Sequence, residues 1–136
     1  MSIKIQGDIV IDDTKNVTAN TITMNGSMYT NYTSPTISSG TLTLDLAAGN
    51  VFNVAHSGAV NTLNITNLPS SSKVMVFVLI LNYDGNSYSF TWPASIRWPN
   101  ATSPITTTTN GKRDVFAFLT CDGGTTYNGI ISGQNF

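Results

Sequence analysis

The side chains able to do chemistry are few and scattered. The chain has one histidine, His56, one cysteine, Cys121, and seven acids, all of them aspartate. A zinc site needs three or four ligands gathered at close spacing, and no stretch offers them. A nucleophilic cysteine needs a base beside it. His56 precedes Ser57-Gly58 at the end of a strand pattern, far along the chain from Cys121, and reads as a turn residue. Glycoside hydrolysis needs two carboxylates at a set separation, one with a raised pKa. Here Asp84 and Asp122 stand before glycine, where an Asp side chain bonds to its own backbone in a turn. Asp8 follows Gly7, Asp12-Asp13 sit in a polar turn, Asp45 lies on a polar strand face and Asp114 opens a strand. Each has a sufficient structural role. No glycine-rich loop leads into a helix to cradle phosphate. The expectation is a protein that is not an enzyme and holds no metal or cofactor.

One stretch suits binding. FTWPASIRWPN, residues 90–100, sets Trp92-Pro93 and Trp98-Pro99 on either side of Arg97, with Tyr88 close by. Indole faces suit the apolar side of a sugar ring, so Trp98, Arg97, Tyr88 and Tyr127 are the candidate receptor-binding residues. The competing interpretation has Trp92 packing inward at a strand end and Trp98 bracing a loop stiffened by two prolines.

The frame that must position these residues is all-β. Charged residues make up 10% of the chain, against the usual quarter. In their place stand 20 Thr, 15 Asn and 14 Ser. Thr, Val, Ile, Tyr and Phe favour pleated sheet, and Asn, Gly and Ser favour turns. The net charge is −1 and the basic residues are dispersed apart from Lys112-Arg113, which leaves no basic stripe for nucleic acid. The longest apolar run falls far short of the roughly 20 residues of a membrane-spanning helix. The N-terminus lacks the apolar block of a secretory signal, and a single cysteine excludes an internal disulfide. Synthesis in a reducing cytosol is expected.

Along the chain, SIKIQ and DIVID put Ile3 and Ile5, then Ile9 and Ile11, on single faces of short strands, and Asn25-Gly26 marks a turn. These strands hold too few large apolar residues for a core of their own. They fit either an edge hairpin of the main domain or a stem in which three chains supply one narrow core. The polar stretch TNYTSPTISSG, with Pro35, reads as a linker. It divides the chain into an N-terminal segment for stem, attachment and oligomerisation, 1–36, and a head domain, 37–136.

In the head, TLTLDLA aligns Leu42, Leu44 and Leu46, and NTLNITNLP turns Leu63 and Ile65 inward. KVMVFVLILNY should form a hairpin with SYSFTW through Asp84-Gly85-Asn86, because Asp-Gly between two such runs is a strong hairpin signal. RDVFAFLTC places Val115, Ala117 and Leu119 on one face and Phe116 and Phe118 on the other, and Asp122-Gly123-Gly124 turns it into TTYNGIISG. Short strands separated by frequent turns predict an antiparallel, jelly-roll-like β-sandwich.

VMVFVLIL, residues 74–81, has no polar residue at all. Only a central strand buries both faces, and the outer face of a simple antiparallel sandwich is normally wet. Extra cover is therefore expected, from a sister subunit or from the N-terminal segment folding back. Met75, Phe77, Leu79, Leu81, Phe116 and Phe118 are the expected core or interface residues.

From about residue 41 to the end, the chain resembles the C-terminal domain found on many tailed-bacteriophage virion proteins, tail fibres above all. The resemblance rests on Leu44–Leu46 with Gly49, Asn50 and Phe52; on Thr91–Pro93 with Trp98; on Asp114-Val115; on Asp122–Gly124; and on Gly133, Gln134 and Phe136. Tyr127 stands where tryptophan is common in that family, and Pro99-Asn100 replaces a glycine-rich turn. The resemblance implies a homotrimeric structural protein of the virion. Three functions follow as expectations. The first is a short trimeric tail fibre, joined to other virion proteins and attaching to host-surface glycans. The second is a capsid decoration protein that stabilises the phage head. The third, from another class, is a monomeric sugar-binding module.

Overall fold

The computed structural model describes residues 21–136 except positions 24 and 28, and two short backbone stretches nearer the N-terminus. Those stretches, β1 (Val10–Ile11) and β2 (Val17–Thr18), pair antiparallel. The stem positions Ile3, Ile5 and Ile9 lie outside the described residues, and Ile11 is described only through its backbone pairing with Val17.

Eight further strands follow: β3 (Tyr32–Thr33), β4 (Thr41–Asp45), β5 (Val51–His56), β6 (Thr62–Thr66), β7 (Met75–Tyr83), β8 (Ile96–Arg97), β9 (Arg113–Thr120) and β10 (Tyr127–Gly133). Their period-two patterns translate directly into burial. Leu42 and Leu44 of β4 are buried while Thr43 faces out; Phe52, Val54 and His56 of β5 are buried; so are Phe77, Leu79, Leu81 and Tyr83 of β7. Among the described residues no helix is long and apolar enough to cross a membrane.

The chain is all-β as expected, but its strands are not simply antiparallel. One six-stranded sheet has the order β3-β5-β7-β9-β10-β8, and β4 and β6 form a second, two-stranded sheet. From β3 to β7 the chain alternates between the two sheets and returns each time in the same direction. Hence β3/β5, β5/β7 and β4/β6 are all parallel. Antiparallel pairing in the large sheet is confined to β7/β9 and β9/β10, and β8 joins β10 in parallel. Alternation of apolar residues sets which face is buried but carries no information on strand direction.

Two local expectations also change. The Asp84-Gly85-Asn86 turn forms, with Asp84 Oδ1 accepting from the Asn86 N–H at 2.9 Å. It does not lead into a hairpin, because β5 and β9 already occupy both edges of β7. Residues 87–92 instead cross to the other layer, where Phe90 bridges Val60. The head also starts earlier than expected: Tyr32–Thr33, placed in the N-terminal segment, is the edge strand of the large sheet. By contrast the Asp122-Gly123-Gly124 turn joins β9 to β10 as expected. Both glycines have positive φ, 70° and 87°, which only glycine adopts cheaply.

The core lies between the layers. Leu42, Leu44 and Leu63 share one buried cluster with Phe52, Val54, Leu79 and Leu81. Over β9 the covering layer is aromatic. Trp92 packs 5.0 Å from Phe116 and 4.9 Å from Trp98, centroid to centroid. Trp98 in turn leans on Gly129, where an added Cβ would sit 2.7 Å from the indole. Gly129→Ala should therefore force the ring out of its seat and cost about 1–3 kcal/mol. A thermal scan showing an unchanged midpoint would contradict that packing.

Candidate functional site

The strand registers define a continuous surface on the far side of the large sheet. Residues sharing the pleat align in rows: Val76–Leu119–Asn128, then Tyr32–Val51–Val78–Ala117–Ile130, then Asn53–Ile80–Val115. Val76, Ile130 and Tyr32 are exposed by 47%, 51% and 64%, so among the described residues the surface is open. No charge interrupts these rows; Arg113, beside Asn82, marks one end. Asn82 donates to Asn53 Oδ1 at 2.7 Å and to the Val54 carbonyl, which ties these two amides together at the Arg113 end of the face. Strand spacing and rise put the patch on the order of 400 Å². The doubly apolar pattern of β7 and β9 thus has two outcomes. Phe77, Leu79, Leu81, Phe116 and Phe118 fill the intrachain core, with Met75 half-buried at its margin, and the opposite valines and isoleucine form the open face.

The four expected receptor residues do not come together. Trp98 and Tyr127 are buried, at 7% and 4% exposure, in the aromatic core, so neither ring is available as a stacking surface. Arg97 is exposed in a shallow depression with Ala94, Ala101 and Ser103. Tyr88 lies apart from it, in a cleft of about 480 Å³ whose walls are residues 87–92 and the loop 103–108. Trp92 lines that cleft too, and its indole Nε1 donates to the Pro104 carbonyl across it at 3.0 Å.

One polar centre escapes a motif-by-motif reading. Asp114 is fully buried, and its carboxylate accepts five hydrogen bonds. Oδ2 takes the Tyr83 hydroxyl (2.6 Å), the Thr107 N–H (2.8 Å) and Gln134 Nε2 (3.1 Å); Oδ1 takes the Thr107 hydroxyl (2.7 Å) and the Asn135 N–H (2.9 Å). Burial pushes this carboxyl up, but the donors outweigh it and hold it below the ordinary carboxylate range. The same contact, after burial itself, raises the Tyr83 phenol. Asp114 therefore ties β7, the cleft loop and the C-terminal residues into one knot. Its spent lone pairs suit a structural anchor, not a proton-transfer group.

His56 is also buried, at 1% exposure, and neither ring nitrogen has a hydrogen-bond partner. Tyr83, Tyr88 and Phe90 surround it, with ring centroids 5.4–5.7 Å away. Burial lowers its pKa; Asp84, Asp114 and the Ser89 backbone oppose this more weakly. The unfolded chain then binds the proton more readily, so stability is intact above pH 6.5 and falls as pH drops below it. One proton limits the slope to about 1.4 kcal/mol per pH unit. Urea midpoints should drop between pH 7.5 and 5.0 in the parent and stay flat in His56→Phe; equal slopes would refute this. Cys121 does not serve His56 as a partner. It follows Thr120, which pairs with Met75 at one end of β7, whereas His56 pairs with Tyr83 at the other, about 26 Å away at strand rise.

Comparison with protein-family models, with curated proteins and with solved structures finds no match. Among the described residues, no three His, Cys, Asp or Glu side chains gather where they could hold a metal ion.

Proposed function

We propose that this chain is a structural, non-catalytic protein of a tailed-bacteriophage particle, working as a homotrimer in a short tail fibre that contacts the host surface. The observation that carries the assembly part is the uncharged outer face of the large sheet. A patch near 400 Å² is not by itself larger than the biggest patch of an ordinary monomer. What distinguishes it is its position over the central strands and its freedom from charge across five of them. Three copies bringing such faces together would bury on the order of 1,000 Å², near the lower bound of a stable interface.

The virion part rests on the sequence resemblance. Asp114 binds Gln134, the Phe136 N–H bonds the Arg113 carbonyl at 3.1 Å, and Trp92 and Trp98 pack together over Phe116. These contacts join the motif residues at 92–98, 113–116 and 134–136.

Light scattering after size exclusion tests the assembly, and copy number in purified particles tests the role. A trimer present at a few copies per tail is the expected result. A trimer as abundant as the capsid protein would make it a head-decoration protein instead, and a monomer would sink the assembly altogether.

A further inference from the structure

We infer that the cleft between residues 87–92 and 103–108 is a binding site for a short neutral carbohydrate. Its eleven lining residues include no charged side chain. They include the hydroxyl-bearing Ser87, Ser89, Thr91, Ser103 and Thr108 and the aromatic Tyr88, Phe90 and Trp92, while the hydroxyl of buried Thr106 is engaged with the Tyr83 phenol. Such a lining matches a ligand with apolar C–H faces and many hydroxyl groups. Hydroxyls both donate and accept, so they can follow the mixed demands of sugar hydroxyls, and aromatic faces bury C–H surface at little entropic cost. The volume, about 480 Å³, lies in the small-ligand range.

The backbone adds two directed groups. Val60 donates to the Ser89 carbonyl at 2.9 Å and accepts from the Thr91 N–H at 2.8 Å. In an extended segment this leaves the N–H and C=O of Phe90 on the opposite edge. Among the described residues neither has a backbone partner. Trp92 is held by its bond to Pro104 and by packing at 4.3 Å from Phe90, so ordering this side chain costs little on binding.

Charge at the mouth selects against acidic sugars. The Asp84 carboxylate lies 3.5 Å from the Tyr88 hydroxyl. Like any exposed aspartate it is ionised at neutral pH, and hydrogen bonds from Asn86 lower its pKa further. It would repel a uronate or sialate.

This inference names a ligand class for the host-contact role proposed above, but its test is independent of assembly. Two-dimensional NMR of the full chain would follow the Trp92 indole and the Thr106 and Thr108 amides. The titrants would be maltotriose, cellotriose, lactose, chitotriose, sialyllactose, a galacturonate trimer and an alternating Thr/Val hexapeptide. At least one neutral saccharide should give saturable shifts at these positions, with sialyllactose and the galacturonate trimer at least tenfold weaker. The exposed substitutions Ser89→Arg and Thr108→Arg, which fill the cleft without touching the core, should each weaken that binding at least tenfold while leaving the remaining spectrum unchanged. Absence of saturable shifts with every neutral saccharide overturns the inference, as does equal or tighter binding of an acidic one. Preferential binding of the hexapeptide would make the cleft a strand-addition site and overturn it equally. Monomer and trimer respond alike in this experiment, so failure here leaves the assembly proposal standing, and the reverse holds too.

Discussion

Asp114→Ala is expected to remove about 4 kcal/mol of folding stability, a large share of the 5–15 kcal/mol typical of a domain. Truncation deletes the acceptor of five hydrogen bonds at a fully buried position. The Tyr83 hydroxyl would then be stranded in the interior and the part-buried Thr107 and Asn135 N–H groups would lose their acceptor; an unsatisfied buried donor costs about 1–3 kcal/mol. Asp114→Asn should be only partly better, since both carboxylate oxygens accept from donors and an amide nitrogen would face one of those donors. Urea denaturation gives the result directly, and a loss below about 1 kcal/mol for alanine would show the knot to be dispensable. Acid adds a second check. Because the folded pKa is depressed, the unfolded chain takes up the proton first as pH falls. The contribution is therefore complete above the ordinary value of 3.8 and lost as pH drops through the lower folded value. The gap in stability between parent and Asp114→Ala should narrow in that acid range.

How much of this was legible in the sequence follows from what alternation can encode. Period-two patterning located β4, β5, β6, β7, β9 and β10, and marked β7 and β9 as central, because burial on one face leaves a residue-level trace. The same parity would have exposed the buried aspartate and histidine. Asp114 keeps step with Phe116 and Phe118, and His56 with Phe52 and Val54, yet each was assigned by its local neighbours, a strand start and a turn. Strand direction left no such trace, so the parallel winding from β3 to β7 was hidden. The Asp84-Gly85 turn signal was sound locally and misleading globally, since a turn does not choose its partner strand when both edges of β7 are taken. Trp98 misled for a related reason. Flanking prolines and Arg97 suggest a surface loop, but the missing side chain at Gly129, on a strand thirty residues later, is what makes room to bury the ring.

Val78→Lys combined with Ala117→Arg should convert the proposed trimer to a folded monomer. The two positions are cross-strand partners at the middle of the outer face, half-buried by their neighbours but not part of the intrachain core. In a lone chain, long basic side chains can lie along the valines and extend their charge into water, so the fold should survive with little loss. In a trimer the same substitutions would bring six positive charges into an apolar interface. Leaving such charges unpaired and dehydrated costs several kcal/mol per ion, more than an interface near 1,000 Å² can offset. Light scattering would read one-third of the parent mass, and the aromatic circular dichroism from Trp92 and Trp98 would be retained. A variant that stays trimeric would place the subunit contact elsewhere. A variant that unfolds would be checked against Val78→Thr with Ala117→Ser, polar but uncharged and close in volume. If the outer face is the contact, that pair should weaken the trimer in a concentration-dependent way while leaving the monomer intact; an undiminished trimer would reject the assignment.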